Sequence, residues 1–209
     1  RGIGQLNTFE LQKYLTGKDV NISPYINERS EGISGSTDKE GLKTAFEMIY
    51  GYFTEPRIES DVFQGIISKQ LNMLANRDND PNFVYSKATM NALYGNNIRR
   101  TPYGKEELEK VNQERALEIY KDRFADASGF HFTFVGNFDV EAMKPLLSQY
   151  LGSLPSSNKN ETYRDLGLTP PSGNVEEVIR VGQDEKATVI MVFSDEDEYL
   201  DKSTEESQE

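Results

Sequence analysis

The chain has 209 residues, 36% of them hydrophobic and 28% charged, with a net charge of −12. That length and composition fit a folded chain of about one to one and a half domains. The charge argues against a nucleic-acid backbone or an anionic membrane surface as partner. No run approaches the roughly 20 apolar residues of a membrane-spanning helix, and the start lacks the basic-then-apolar pattern of a signal peptide. With no cysteine and a single histidine, His131, disulfides, thiolate nucleophiles and multi-histidine zinc sites are excluded within this chain.

Asn7 reads as a helix cap, with Glu10 at the capping-box position and Gly17 ending the helix. Val20 and Ile22 alternate with polar neighbours ahead of Gly32-Ile-Ser-Gly-Ser36, which predicts two short strands or a bent hairpin. Thr37-Asp-Lys-Glu40 is a second capping box, and Leu42, Ala45, Phe46, Ile49, Tyr50 and Phe53 follow at helical spacing until Glu55-Pro56. Ser60 opens the next helix, with Val62, Phe63, Ile66, Ile67, Leu71 and Leu74 on one broad face. Asp80-Pro81 caps a fourth, with Val84, Met90 and Leu93 inward and Gly95 at its end.

After a turn-rich loop over 96–104, residues 105–124 predict a short and a longer helix carrying Leu108, Leu117, Tyr120 and Phe124. Residues 130–136 alternate, with Phe130, Phe132 and Phe134 on one face, and form the best strand signal in the chain. Asp139 caps a helix that reaches Leu151, in which Pro145 demands a kink or a separate first turn. Residues 156–174 are rich in Pro, Ser, Asn and Gly and read as a linker, beyond which 175–181 and 187–193 predict two strands of a further unit. The segment 195–209, with eight carboxylates and one lysine, reads as an acidic connector. Arg1 and the stop just beyond the apolar run 187–193 mark the chain as a piece of a longer polypeptide.

The candidate sites each meet a plainer account. His131 lies opposite three phenylalanines on a predicted strand, with no convergent partner near in sequence. Gly2-Ile-Gly-Gln-Leu-Asn7 lacks the third glycine and the leading strand of a dinucleotide loop. Gly32-Ile-Ser-Gly-Ser36 has serine where a nucleophile elbow requires glycine. Asp78-Asn-Asp80 is followed by Pro81 and Phe83 where a calcium loop needs glycine and oxygens. Asn21-Ile-Ser23 and Asn160-Glu-Thr162 are glycosylation sequons of a kind common by chance. Arg99 and Arg100 read as ties for their loop.

In order, Phe53-Thr-Glu-Pro-Arg57, Asp78-Asn-Asp-Pro81, Tyr94-Gly-Asn-Asn-Ile-Arg-Arg100, Tyr120-Lys-Asp-Arg-Phe124, Phe134-Val-Gly-Asn-Phe-Asp139 and Tyr150-Leu-Gly-Ser-Leu-Pro155 resemble the insulinase/pitrilysin-type zinc metallopeptidases, the H-x-x-E-H inverzincins. The resemblance covers roughly residues 2–193 and is greatest to the C-terminal half of the large bacterial four-domain members. It implies an α+β fold, a two-layer sandwich of a mostly antiparallel sheet covered by helices, like the LuxS and mitochondrial-processing-peptidase domains. It also implies two halves closing around a peptide held as an added strand. The catalytic domain of that family binds zinc through the two histidines of H-x-x-E-H and a later glutamate. By alignment on Asp80-Pro81 that later ligand falls on Met73, and residues 65–76 hold no carboxylate. A thioether does not replace a hard anionic oxygen on zinc.

On this resemblance, residues 1–155 are a degenerate peptidase-like domain, third of four and missing its N-terminal strands, 156–174 a linker, and 175–209 the start of the next domain. The parent is a zinc peptidase whose metal lies in its catalytic domain. This chain carries no catalytic, cofactor-binding or metal residue and is inactive alone. The implied partners are the N-terminal catalytic half and peptide substrates, with no nucleic acid and no membrane insertion. The implied location is a bacterial cell envelope or periplasm. The alternatives are a non-catalytic scaffold or interaction subunit of the same fold, and an unrelated carboxylate-dependent hydrolase built on some of the 35 acidic residues.

Overall fold

The computed structural model describes residues 2–159, 161–162, 166, 168–183 and 187–193. The fold is α+β, with helices packed on short antiparallel strands. Of the described residues, those within 1–68 and 110–162 form one compact unit and those within 69–109 and 163–209 another.

The first unit is organised around α2 (Leu42–Thr54), most of whose residues are buried, including Phe46, Ile49, Tyr52 and Phe53. A helix apolar on nearly all sides must be covered on nearly all sides, and the chain wraps it. The hairpin of β2 (Val20–Ile26) and β3 (Glu31–Thr37) pairs antiparallel with Ile22 opposite Gly35 and buries Val20 and Ile22 against the helix. Two further short strands, β1 (Gly2–Ile3) and β4 (Pro56–Arg57), pair antiparallel at the ends of the helices that flank them. Helix α1 (Thr8–Leu15) begins with the expected capping box, Asn7 accepting from the Glu10 amide and Glu10 from the Asn7 amide.

The second capping box does not form. Thr37 is the last residue of β3, and Asp38 instead accepts from the Gly41 amide at 2.7 Å, so that Gly41 stands as the N-cap of α2. Strand pairing claims Thr37 before the helix can use it. Helices α3 (Ser60–Leu74), α5 (Lys105–Glu109) and α6 (Gln113–Arg123) lie where the pattern places them. Helix α7 (Val140–Leu146), capped by Asp139, contains Pro145 and gives way to a π-helical turn over Leu147–Leu151, which accommodates the amide that proline lacks.

The largest difference concerns residues 130–136. Phe130, Phe132 and Phe134 do face one way: Phe53 meets the first two rings at 4.9 and 6.2 Å, and Phe46 meets Phe134 at 5.4 Å. Yet residues 131–135 make no backbone ladder among the described residues. Alternation records which face is buried. It does not supply a neighbour. Tyr120, Phe124 and Phe130 extend this aromatic cluster, and the Tyr120 hydroxyl donates to the Tyr52 carbonyl at 3.0 Å.

In the second unit, α4 (Pro81–Tyr94) starts on Asp80, whose carboxylate accepts from the Asn82 amide, and ends on Gly95 in the left-handed conformation that glycine adopts at little cost. Leu74 and Leu108 are buried, whereas Met90, expected inward, is exposed, and Val84 and Leu93 are half-buried. Arg77 lies over the Phe83 ring at 4.0 Å and donates to the Tyr103 carbonyl at 2.6 Å. Arg100 lies over the Tyr94 ring, tying its loop to the end of α4. Residues 175–181 and 187–193, expected as strands, show no strand pairing among the described residues and are largely exposed. Most of the turn expected between them, and the acidic segment 195–209, lie outside those residues.

Candidate functional site

The antiparallel pairing of Gly2 with Arg57 brings the start of the chain beside the end of α2 and sets Arg57 and Glu59 at the rim of a groove of about 140 Å³. Its walls include Pro24, Tyr52, Val62, Phe63, Leu117 and Tyr120. The charged pair at the rim is already committed. Arg57 Nε lies 3.3 Å from a Glu59 oxygen, and its Nη1 donates to the Gln5 carbonyl at 3.0 Å. Glu59 in turn accepts from the Thr8 hydroxyl at 2.5 Å and the Thr8 amide at 3.1 Å, so it acts as a distant cap on the first turn of α1. Those hydrogen bonds, with Arg57 adding to them, hold the Glu59 carboxyl below its ordinary range despite partial burial. The groove can receive an apolar side chain. It offers no nucleophile–base pair among the described residues.

A measurable consequence concerns stability. A carboxyl whose pKa is lowered by folding adds stability above its unfolded value, about 4.3, and that stability is lost as pH falls through the folded value. Glu59→Gln is expected to cost about 1 kcal/mol at pH 7. In thermal unfolding the gap between wild type and variant should narrow from pH 6 to pH 3.

Met73 is well exposed on α3, and residues 65–76 hold no carboxylate. Among the described residues, no three His, Asp or Glu side chains converge as metal ligands do. These residues do not fit a zinc ion, and no catalytic step is assigned to them. His131 is exposed on the extended segment over 130–135. Gly32 to Ser36 lie in β3, and Asp78 and Asn79 belong to the 3₁₀ turn Arg77–Asn79 that leads into the cap at Asp80. Asn21 is exposed on β2, while Asn160 lies outside the described residues. Sequence reasoning missed the groove, whose lining comes from five separate stretches of chain, and the ion-pair cluster around Arg123, whose partner Glu161 lies 38 residues farther along the chain.

Residues 110–203 match the Peptidase M16 inactive domain. That stretch is similar to the inactive domain of the M16 peptidases. The chain is 32% identical over 115 residues to a protein of Arabidopsis thaliana described as "Zinc protease PQQL-like", a match covering 54% of this chain and 12% of that protein. It is 20% identical over 157 residues to the "Probable zinc protease PqqL" of Escherichia coli (strain K12), covering 75% of this chain and 17% of that protein. The crystal structure of the periplasmic protease PqqL from Escherichia coli superposes with a TM-score of 0.69 at 20% identity, covering 83% of this chain and 19% of that one. The chain thus spans under a fifth of the length of these relatives, and the α+β fold read from the sequence is the fold of the solved neighbour.

Proposed function

We propose that this chain is part of the non-catalytic half of a zinc metallopeptidase and helps to close a peptide-holding chamber over a catalytic domain carried elsewhere in the same polypeptide. The observation that carries the reading is the match of residues 110–203 to the inactive M16 domain. The face around Met73 supports it, since the position aligned with the family's later zinc ligand carries a thioether and no carboxylate replaces it. In this reading residues 1–155 are a degenerate peptidase-like domain and 156–174 connect it to the next, which starts at 175. The extended segment over 130–135 sets the Phe130 and Phe134 rings against Phe53 and Phe46 of α2 and has no backbone partner among the described residues.

The catalytic zinc belongs to the parent's catalytic domain, peptides are the substrates, and the periplasm is the compartment, by analogy with the Escherichia coli relative. The test is cleavage of a quenched fluorescent peptide by the parent's catalytic half, with and without its C-terminal half containing this region. Activity is expected only in the mixture and should vanish with a zinc chelator. A catalytic half fully active alone would refute the role. An inactive mixture of halves that demonstrably associate would identify a scaffold of the same fold.

A further inference from the structure

The stretch after the buried Leu154, which composition marks as a connector, is fastened to the body of its unit. The Pro155 carbonyl accepts from the Ala127 amide at 2.8 Å. One oxygen of Asp126 accepts from the Ser128 amide at 2.9 Å, closing the turn after α6. The other oxygen accepts from the Ser157 hydroxyl and from the Lys159 amide, both at 2.6 Å. Arg123, the last residue of α6, donates to both oxygens of Glu161 at 2.9 and 2.7 Å, a bidentate pairing with more geometric definition than a single contact. Lys159 closes the cluster, its ammonium 3.0 Å from Glu161 and 3.5 Å from Asp122, while Glu31 of β3 lies 3.8 Å from Arg123.

Nearly all of these contacts are made by partly exposed polar groups, and the apolar anchor ends at Leu154. Hydrophobic burial therefore holds the segment before Pro155, and hydrogen bonds and ion pairs hold the segment after it. Exposed pairs of this kind are individually weak, so the fastening can open without unfolding the core.

We propose that Pro155 to Lys159, together with Glu161, form a releasable strap, clasped by Asp126 and Arg123, that can open while the core beneath it stays folded.

Hydrogen exchange on the 209-residue chain tests the clasp. The Lys159 amide is expected to be protected in the wild type, and D126A and E161Q should each speed its exchange by about tenfold, leaving the α2 amides unchanged. Exchange of the Lys159 amide at the unprotected rate in the wild type would overturn the proposal, as would rates unaffected by both substitutions. If D126A also exposes α2, its fold has been lost, and E161Q, which changes an exposed strap residue, decides the question. Failure of the peptidase reading would appear in the reconstitution assay and leave these exchange rates as they are.

Discussion

Phe124→Ala is expected to destabilise the first unit by about 3–5 kcal/mol, the usual cost of deleting a fully buried ring, and to lower its melting temperature by on the order of 10 °C. Phe124 has no solvent exposure at all. Its ring stacks on Tyr120 at 4.5 Å, meets Phe53 edge-on at 5.1 Å and lies 5.6 Å from Phe130, so one deletion removes contacts to α2, α6 and the segment over 130–135 together. The residue also sits at the C-cap of α6, and its amide bonds to the Tyr120 carbonyl, so the backbone there has little freedom to close the cavity. Phe124→Leu, which leaves a smaller void, should cost clearly less. Circular dichroism melts of the two variants check both statements, and equal, small losses would show that the aromatic cluster is not the centre of the core.

Gly35→Ala should destabilise by about 1–3 kcal/mol, the range for an atom forced into filled space, whereas Gly65→Ala should stabilise by about 0.5–1 kcal/mol. A β-carbon built on Gly35 falls on the Asn21 carbonyl oxygen and lies 2.8 Å from its carbon and 2.9 Å from the Ile22 α-carbon. All three are backbone atoms of the opposing strand, so no rotamer change relieves the overlap and the hairpin must part. Gly65 lies inside α3 with nothing within 4 Å of the added carbon, so only the helix-favouring effect of alanine remains. Urea denaturation of the pair tests opposite signs from the same chemical change. A neutral Gly35→Ala would show that the strands approach less closely than described.

Much of the local structure was legible from residue patterns. Asn7 and Glu10, Asp80 and Pro81, Gly95 and Asp139 each punctuate a helix where they were expected, because a cap needs only residues within one turn of each other. Thr37 failed by the same measure, since a hairpin partner at Val20 took its backbone first. Met90 failed because helical spacing shows that a face is apolar and not how deeply it is covered. The groove beside Arg57 and the clasp around Arg123 depend on contacts between distant stretches, which no local pattern records.

By itself the sequence determined the α+β class of this fold and most of its helices. The order and spacing of short motifs resemble the insulinase/pitrilysin-type peptidases, and residues 110–203 match the inactive M16 domain, because motif identity is written in side chains close together along the chain. Tertiary structure alone decided which alternating segments find a strand partner among the described residues, and which part of an apparent linker is held. Pairing and fastening require two stretches of chain to meet, and that meeting is a property of the folded chain rather than of either stretch.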